Sequence, residues 1–424
     1  MPWTEPQPAK NRIYLDNAAT SFPKPPAVHE AMTRYAHDLG ASPGRGTYRE
    51  SIEGGRIIAD CRARLGRLLG CPSPDHIVFT LNASDALNLA INGIAHHERV
   101  KRSRSGSDEP VHFVATAMDH NSVLRPLNAL QSDSVGAPVE WTCVDGDPET
   151  GLVDPDDVRA AIRPNTALVI AVHASNVSGT LQPIEEIASV ARGAGVPLLV
   201  DAAQTAGRLP IDCDAMGIDL LAFPGHKHLM GPLGTGGLLM RPGMEEIIDP
   251  VRTGGTGSVS EMDVHPETMP DRYEPGSHNT IGIAGLAAGV AWLESEGVDA
   301  LWAHERSLIE RMLAGLGDHR AFPGLRLLGP KGADRRVGVF SLVHESLGAA
   351  ELAAVLEAEF GILGRAGIHC APRAHGAFGT RESGGAMRLS LGAFNTPDHI
   401  DAALDALRAV CRELGAGVAA NAGV

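Results

Sequence analysis

The sequence predicts an α/β fold: a mostly parallel sheet covered by helices, followed by a smaller α+β unit. Three observations carry this. Seven short β-rich apolar runs recur through the first two thirds of the 424 residues, at 77–80, 111–116, 139–143, 167–172, 197–200, 220–223 and 237–240. Several are unbroken Val/Ile/Leu stretches, the pattern of strands buried on both faces. Between them, 85–96, 121–131, 156–163 and 184–193 carry apolar residues three and four apart, the spacing of helices that lay one face on a sheet. After about residue 290 the texture changes. Helical stretches at 281–296 and 301–316 lead to an extended 337–343, a helix over 349–360, an extended 365–369, a Gly-rich loop, a strand over 387–391 and a closing helix from about 397.

The expected organisation is an N-terminal segment over 1–30 packing with the small domain, a large domain over 31–289 and a small C-terminal domain over 290–424. Pro25 and Pro26 suit a segment that crosses the surface. The stretch ERVKRSRSGSDEP at 98–110 is charged and lacks apolar periodicity, so it reads as a solvated loop. Lys and Arg number 36 against 51 Asp and Glu, a formal charge of −15. That acidity argues against nucleic acid or an anionic membrane as the partner. No apolar run reaches the roughly 20 residues that span a bilayer. The start MPWTEPQPAK lacks the features of a secretion signal, so the cytoplasm is the expected compartment. Cys61, Cys71, Cys143, Cys213, Cys370 and Cys411 show no CxxC spacing, and neither a disulfide framework nor a metal site is expected.

Three successive strand ends hand over to polar residues: 167–172 to HASNVSG, 197–200 to DAAQ and 220–223 to PGHK. One such Asp is usually a helix cap, and one such Lys usually a surface residue. Three on neighbouring strands make a polar pocket at the carboxyl edge of a parallel sheet. Asp201 at one strand end and Lys227 at the next suit pyridoxal phosphate, whose aldehyde needs an amine and whose pyridine nitrogen needs a carboxylate to stay protonated. The glycines of PGHKHLMGPLGTGG let the backbone close around such a cofactor.

The strings LDNAAT, LNASDALNLA, MDHNSV, HASNVSGT, VDAAQ, PGHK, EPGSHNT, GRAGIHCAPRAH and MRLSLGAFNT occur in that order. Over nearly the whole chain, from about Ile13, the sequence resembles the cysteine desulfurases, pyridoxal-phosphate enzymes of the fold-type I, class V aminotransferase superfamily. Its R-x-G-x-H-C-A loop is similar to the group with a short catalytic loop, near the selenocysteine-lyase-like members. The resemblance implies a seven-stranded sheet with one antiparallel strand and helices on both faces. It implies Lys227 as the Schiff-base lysine and α-proton base, Asp201 on the pyridinium nitrogen, Gln204 and Asn176 on the phenolic oxygen, and His120 stacked on the ring as a proton shuttle. Ala83 and Ser84 at a helix start, with His226, would hold the phosphate. Ser277 would serve the neighbouring subunit's phosphate, which implies a homodimer. Pro224 departs from the pattern: many relatives have Ser there, and proline offers neither hydroxyl nor N–H.

Cys370 lies in a polar Gly-rich loop beside Arg365, His369, Arg373 and His375, a setting that reads as electropositive and favours the thiolate. Such a loop would be flexible enough to deliver the sulfur. His369, Cys370 and His375 lack a metal-ligand spacing. By resemblance, Arg388 clamps the substrate carboxylate as a bidentate fork, and Arg365 and Arg45 also serve the substrate. The implied reaction takes L-cysteine to L-alanine, leaves a persulfide on Cys370 and passes the sulfur to an acceptor protein or a reductant; L-selenocysteine would follow the same path. The alternatives are another class V lyase, epimerase or aminotransferase, which would not need Cys370, and a catalytically silent pyridoxal-phosphate-binding regulator.

Overall fold

A computed structural model describes residues 12–44 and 46–421. The first described elements are the short strand β1 (Ile13–Tyr14) and helices α1 (Pro26–Arg34) and α2 (Arg49–Leu69). Pro26 takes the first helical position, where a missing N–H leaves nothing unpaired, so the paired prolines start a helix. Seven strands follow: β2 (Ile77–Thr80), β3 (Val111–Thr116), β4 (Val139–Val144), β5 (Thr166–Val172), β6 (Leu198–Asp201), β7 (Leu220–Pro224) and β8 (Gly236–Met240). Helices α3 (Ala83–Ser105), α4 (Asn121–Ser132), α5 (Pro155–Ala161), α6 (Ile184–Gly193) and α7 (Cys213–Met216) connect them. Every predicted run is a strand, to within one residue at each end.

The strands form one sheet in the order β2-β8-β7-β6-β5-β3-β4. All run parallel except β8, which is antiparallel to both β7 and β2. The order reverses between β3 and β5, which opens the crevice where such sheets bind ligands. Both faces are buried. Val169 and Ala171 of β5 join one apolar cluster, while Leu168 and Ile170 join the other. That double burial is why these strands read as continuous apolar runs.

The stretch at 98–110 corrects its expectation. α3 continues through it to Ser105 instead of ending in a solvated loop. Glu98 pairs with Arg102 one turn on and with Lys101 at 3.2 Å, and Gly106, at φ 66°, closes the helix. Strong helix formers and i,i+4 pairs sustain a helix with little apolar periodicity.

The C-terminal part comprises α8 (Thr280–Glu296), α9 (Val298–Leu316), β9 (Leu325–Leu327), β10 (Val339–His344), α10 (Ala349–Phe360), β11 (Ile362–Leu363), β12 (Arg365–Gly367), α11 (Pro372–Ala377), β13 (Ala386–Ser390) and α12 (Pro397–Asn421). Its antiparallel sheet has the order β12-β13-β10-β9. β1 pairs with β11, and Asp16 bridges to Ser390. Arg336, fully buried, donates to the Ser178 carbonyl at 2.9 Å and joins this sheet to the loop after β5.

A second buried cation fastens α2 to the large sheet. Arg62 makes two parallel bonds to Glu274 at 2.8 and 2.9 Å, and Glu274 Oε1 also accepts the Phe79 amide at 2.6 Å. Burial alone would push the Glu274 carboxyl up; Arg62 and His278 more than reverse that and hold it below its ordinary range. Glu274→Ala therefore leaves a buried guanidinium without its counter-charge and a buried N–H unpaired, and is expected to lower stability by about 3–5 kcal/mol in urea unfolding. A loss under about 1 kcal/mol, the value of an exposed pair, would contradict it.

Candidate active site

Parallel pairing sets Val172 opposite Asp201 and Asp201 opposite Ala222, so β5, β6 and β7 end on one edge. Helices α3 and α4 begin at the same edge, after β2 and β3. Asn82 caps α3 by accepting the Asp85 amide at 3.0 Å, and His120 caps α4 by accepting the Ser122 amide at 3.1 Å on Nδ1. Two helix N-termini thus bring free N–H groups and partial positive charge to the strand ends.

Between these elements lies a cavity of about 410 Å³. Asn176, Asp201, Gln204 and Lys227 line it from the strand ends, Ala83 and Ser84 from α3, and His120 and Ser122 from α4, with Pro224 and His226 beside them. Gln204 Oε1, Asn176 Oδ1 and His226 Nδ1 are buried without a partner. Orphaned polar atoms converging on one cavity are what a polar ligand would satisfy. The set fits pyridoxal phosphate: an amine for the aldehyde at Lys227, a carboxylate at Asp201, and the Ala83 and Ser84 amides with His226 for the phosphate. Pro224 stands in the lining and contributes no donor.

The charges of the site are shaped by burial. The Lys227 amine is pulled down to about 8, first by burial and then by Arg388, Arg208 and Arg365, with Asp201 opposing. Asp201, 2 % exposed, is raised by burial, while the Ala203 amide at 2.9 Å and the Lys227 charge hold it back. His120 falls to about 4, through burial and then Lys227, and His226 falls likewise. Both rings are neutral at pH 7.

The remaining sequence candidates stand around the cavity. Arg388, 1 % exposed on β13, donates to Asp16 at 2.8 Å and to the Asn176 carbonyl at 3.1 Å, with Nε unpartnered. Arg365, opposite Arg388 in the sheet, is exposed. Ser277 lines an adjacent cleft of about 110 Å³ that shares Leu81 and Gly234 with the main cavity. Arg45 lies outside the described residues.

Cys370 is exposed, and two expectations about it change. Its neighbours His369 and His375 are buried and driven by that burial to the neutral form, so they add no positive charge; only the arginines do. The loop is also anchored. The Cys370 carbonyl accepts the Asn121 amide at 2.7 Å, the His369 carbonyl accepts Asn176 Nδ2 at 2.6 Å, and the His369 ring meets the Ala386 carbonyl at 3.0 Å. These bonds hold His369 and Cys370 at φ 49° and 57°, a left-handed backbone that side chains resist. The backbone that carries the thiol is thus held at both residues.

Sequence reasoning missed Ser122 and Asp16. Ser122 lies inside the quoted MDHNSV and Asp16 inside LDNAAT, but neither shows a chemical signal until the fold sets it beside its partner.

The aminotransferase class-V family profile matches residues 13–403. A probable cysteine desulfurase of Methanothermobacter thermautotrophicus is 32% identical over 393 residues, covering 92% of each chain. A cysteine desulfurase of Haloferax volcanii is 31% identical and covers 95% of this chain and 90% of its own. Among solved structures, an apo cysteine desulfurase from Thermococcus onnurineus superposes with a TM-score of 0.85 at 29% identity, covering 95% of both chains.

The lowered Lys227 pKa has a measurable consequence. Only the neutral amine adds to an aldehyde, and burial disfavours the ammonium form, so the reactive form dominates above about pH 8 instead of above 10.5. The rate at which cofactor-free protein takes up pyridoxal phosphate should rise with pH to a midpoint near 8 and then level off. A rate still climbing at pH 10 would contradict the shift.

Proposed function

The chain belongs to the aminotransferase class-V family, and on that footing we propose that it is a pyridoxal-phosphate-dependent cysteine desulfurase, which converts L-cysteine to L-alanine and carries the sulfur on Cys370. One observation carries the reading. The residue that bears an exposed thiol is bonded through its backbone carbonyl to Asn121, the residue adjoining His120, beside a cavity that holds Lys227 and Asp201.

When bound, pyridoxal phosphate supplies an electron sink for the substrate α-carbon. Lys227, its pKa near 8, can hold and release a proton close to neutral pH, which suits the α-proton base. Asp201, with the Ala203 amide and the Lys227 charge supporting its anion, is suited to keep a proton on the pyridine nitrogen. Neutral His120 has one ring nitrogen engaged by Ser122 and the other available for proton transfer. A substrate carboxylate at Arg388 would share the guanidinium with Asp16, and the unpartnered Nε is among the donors left for it. Cys370 Sγ, as thiolate, attacks the substrate sulfur: the S–S bond forms, the C–S bond breaks, and the electron pair left on carbon takes a proton to give alanine. A reductant thiol or a sulfur-acceptor protein then removes the terminal sulfur and returns the thiolate. L-selenocysteine fits the same site, since selenium leaves carbon more readily.

We also propose a homodimer. Leu81 and Leu233, 54 % and 69 % exposed, stand in the cavity lining, and Val259, Met262 and Val264 are exposed on another loop. Apolar side chains of this size at a site's mouth favour cover by a second chain. Ser277, in the cleft beside the cavity, would then face the partner's cofactor.

Cys370→Ala tests the chemistry. The variant should still shift the cofactor spectrum on adding L-cysteine, yet release alanine at least about a hundredfold more slowly. Persulfide should appear by mass on the Cys370 peptide of the wild type and vanish from the variant. Wild-type alanine release without the thiol would leave another class V lyase as the reading. Sedimentation tests the assembly: a dimer is expected, and a fully active monomer would remove it.

A further inference from the structure

Among the described residues lining the cavity, Ser84 and Ser122 carry the only hydroxyls. They touch: Ser122 Oγ lies 2.5 Å from Ser84 Oγ and 2.8 Å from His120 Nδ1. The Ser122 amide reaches the same Nδ1 at 3.1 Å. An amide can only donate, so Nδ1 accepts and carries no hydrogen. The neutral ring therefore holds its proton on Nε2. At 2.8 Å the Ser122 oxygen cannot face a bare nitrogen lone pair without repulsion, so its hydroxyl donates to Nδ1 as well. Its own oxygen is then open to the Ser84 hydroxyl. The chain of donors runs from Ser84 through Ser122 to His120.

We infer that Ser122 is a positioning residue whose amide holds His120 as the Nε2–H tautomer and whose hydroxyl, through Ser84, ties that ring to the phosphate end of the cofactor cavity. The inference rests on reading the cavity as the pyridoxal-phosphate site. Two observations locate the hydroxyl pair at that end. Ser84 sits in the first turn of α3, where the amides have no acceptor within the helix, and His226 Nδ1, in the same lining, is buried without a partner. Pro224, also in the lining, supplies neither hydroxyl nor N–H, so Ser84 and Ser122 are the hydroxyls available there. Tautomer choice by the bond at the other ring nitrogen decides which edge of an imidazole can give a proton.

The test reads His120 directly, by nitrogen-15 resonances of its ring in cofactor-free and pyridoxal-phosphate-loaded protein. The wild type should show a protonated Nε2 and an accepting Nδ1 in both. Ser122→Ala keeps the amide and so should keep the tautomer, but should move the Nδ1 resonance toward that of a more weakly bonded acceptor and weaken pyridoxal-phosphate binding, titrated into cofactor-free protein, by about tenfold, the loss of one hydrogen bond. Ser122→Thr, which restores the hydroxyl, should return both values toward wild type. Ser84→Ala should shift the His120 Nδ1 resonance too, although Ser84 does not touch that ring. The inference is overturned if Ser122→Ala leaves the ring nitrogens unmoved, if Ser122→Thr behaves like the alanine variant, or if Ser84→Ala is silent at His120. A wild type that takes up no pyridoxal phosphate would overturn the cofactor reading instead, and the tautomer measurement in cofactor-free protein would still stand on its own.

Discussion

The structure is organised around one costly arrangement, a lysine amine and a carboxylate placed in the same cavity at the end of a buried sheet. Each charge is disfavoured by burial and supported by the other: Asp201 holds the Lys227 amine up, and Lys227 holds the Asp201 carboxyl down. Such a pair persists only where the backbone leaves its members no alternative. The parallel register of β5, β6 and β7 does that by ending three strands at one edge. β8, running the other way, pairs along the whole of β7 and braces the strand from which Lys227 follows.

The second sheet contributes by closing the site. Its tie to the large sheet runs through residues that also serve the cavity. Arg388 reaches from β13 to the Asn176 carbonyl, Asn176 reaches on to the His369 carbonyl, and the next residue, Cys370, is held by Asn121 at the start of α4. Three elements distant in sequence thus set the position of one thiol. The left-handed backbone at His369 and Cys370 lies among these bonds, which offset its strain. A nucleophile on an anchored backbone needs substrate brought to it in the right pose, and positioning of this kind accounts for much of what an active site supplies. The neutral state of His369 belongs to the same design: buried against the Ala386 carbonyl, it works as a strut.

The sequence by itself determined the strands, because a strand buried on both faces must be apolar throughout, and runs such as LLV at 198–200 admit few other readings. It also determined which residues stand at the strand ends, since Asp201 and Lys227 follow directly from where those runs stop. Helices carried by charge were harder to see: the end of α3 rests on Glu98, Lys101 and Arg102, which resemble a solvated loop until they are wound into turns. What only the tertiary structure decided concerns contacts between distant segments. Ser122 becomes chemically informative through a hydroxyl 38 positions away, and Asp16 through an arginine 372 positions away. The charge state of His369 and His375 depended on burial that no local pattern reports, so a loop that reads as electropositive proved to carry neutral rings. Periodicity and strand ends are written locally because backbone geometry acts over a few residues; protonation, tautomer and the station of Cys370 are not, because they depend on which groups the folded chain packs around them.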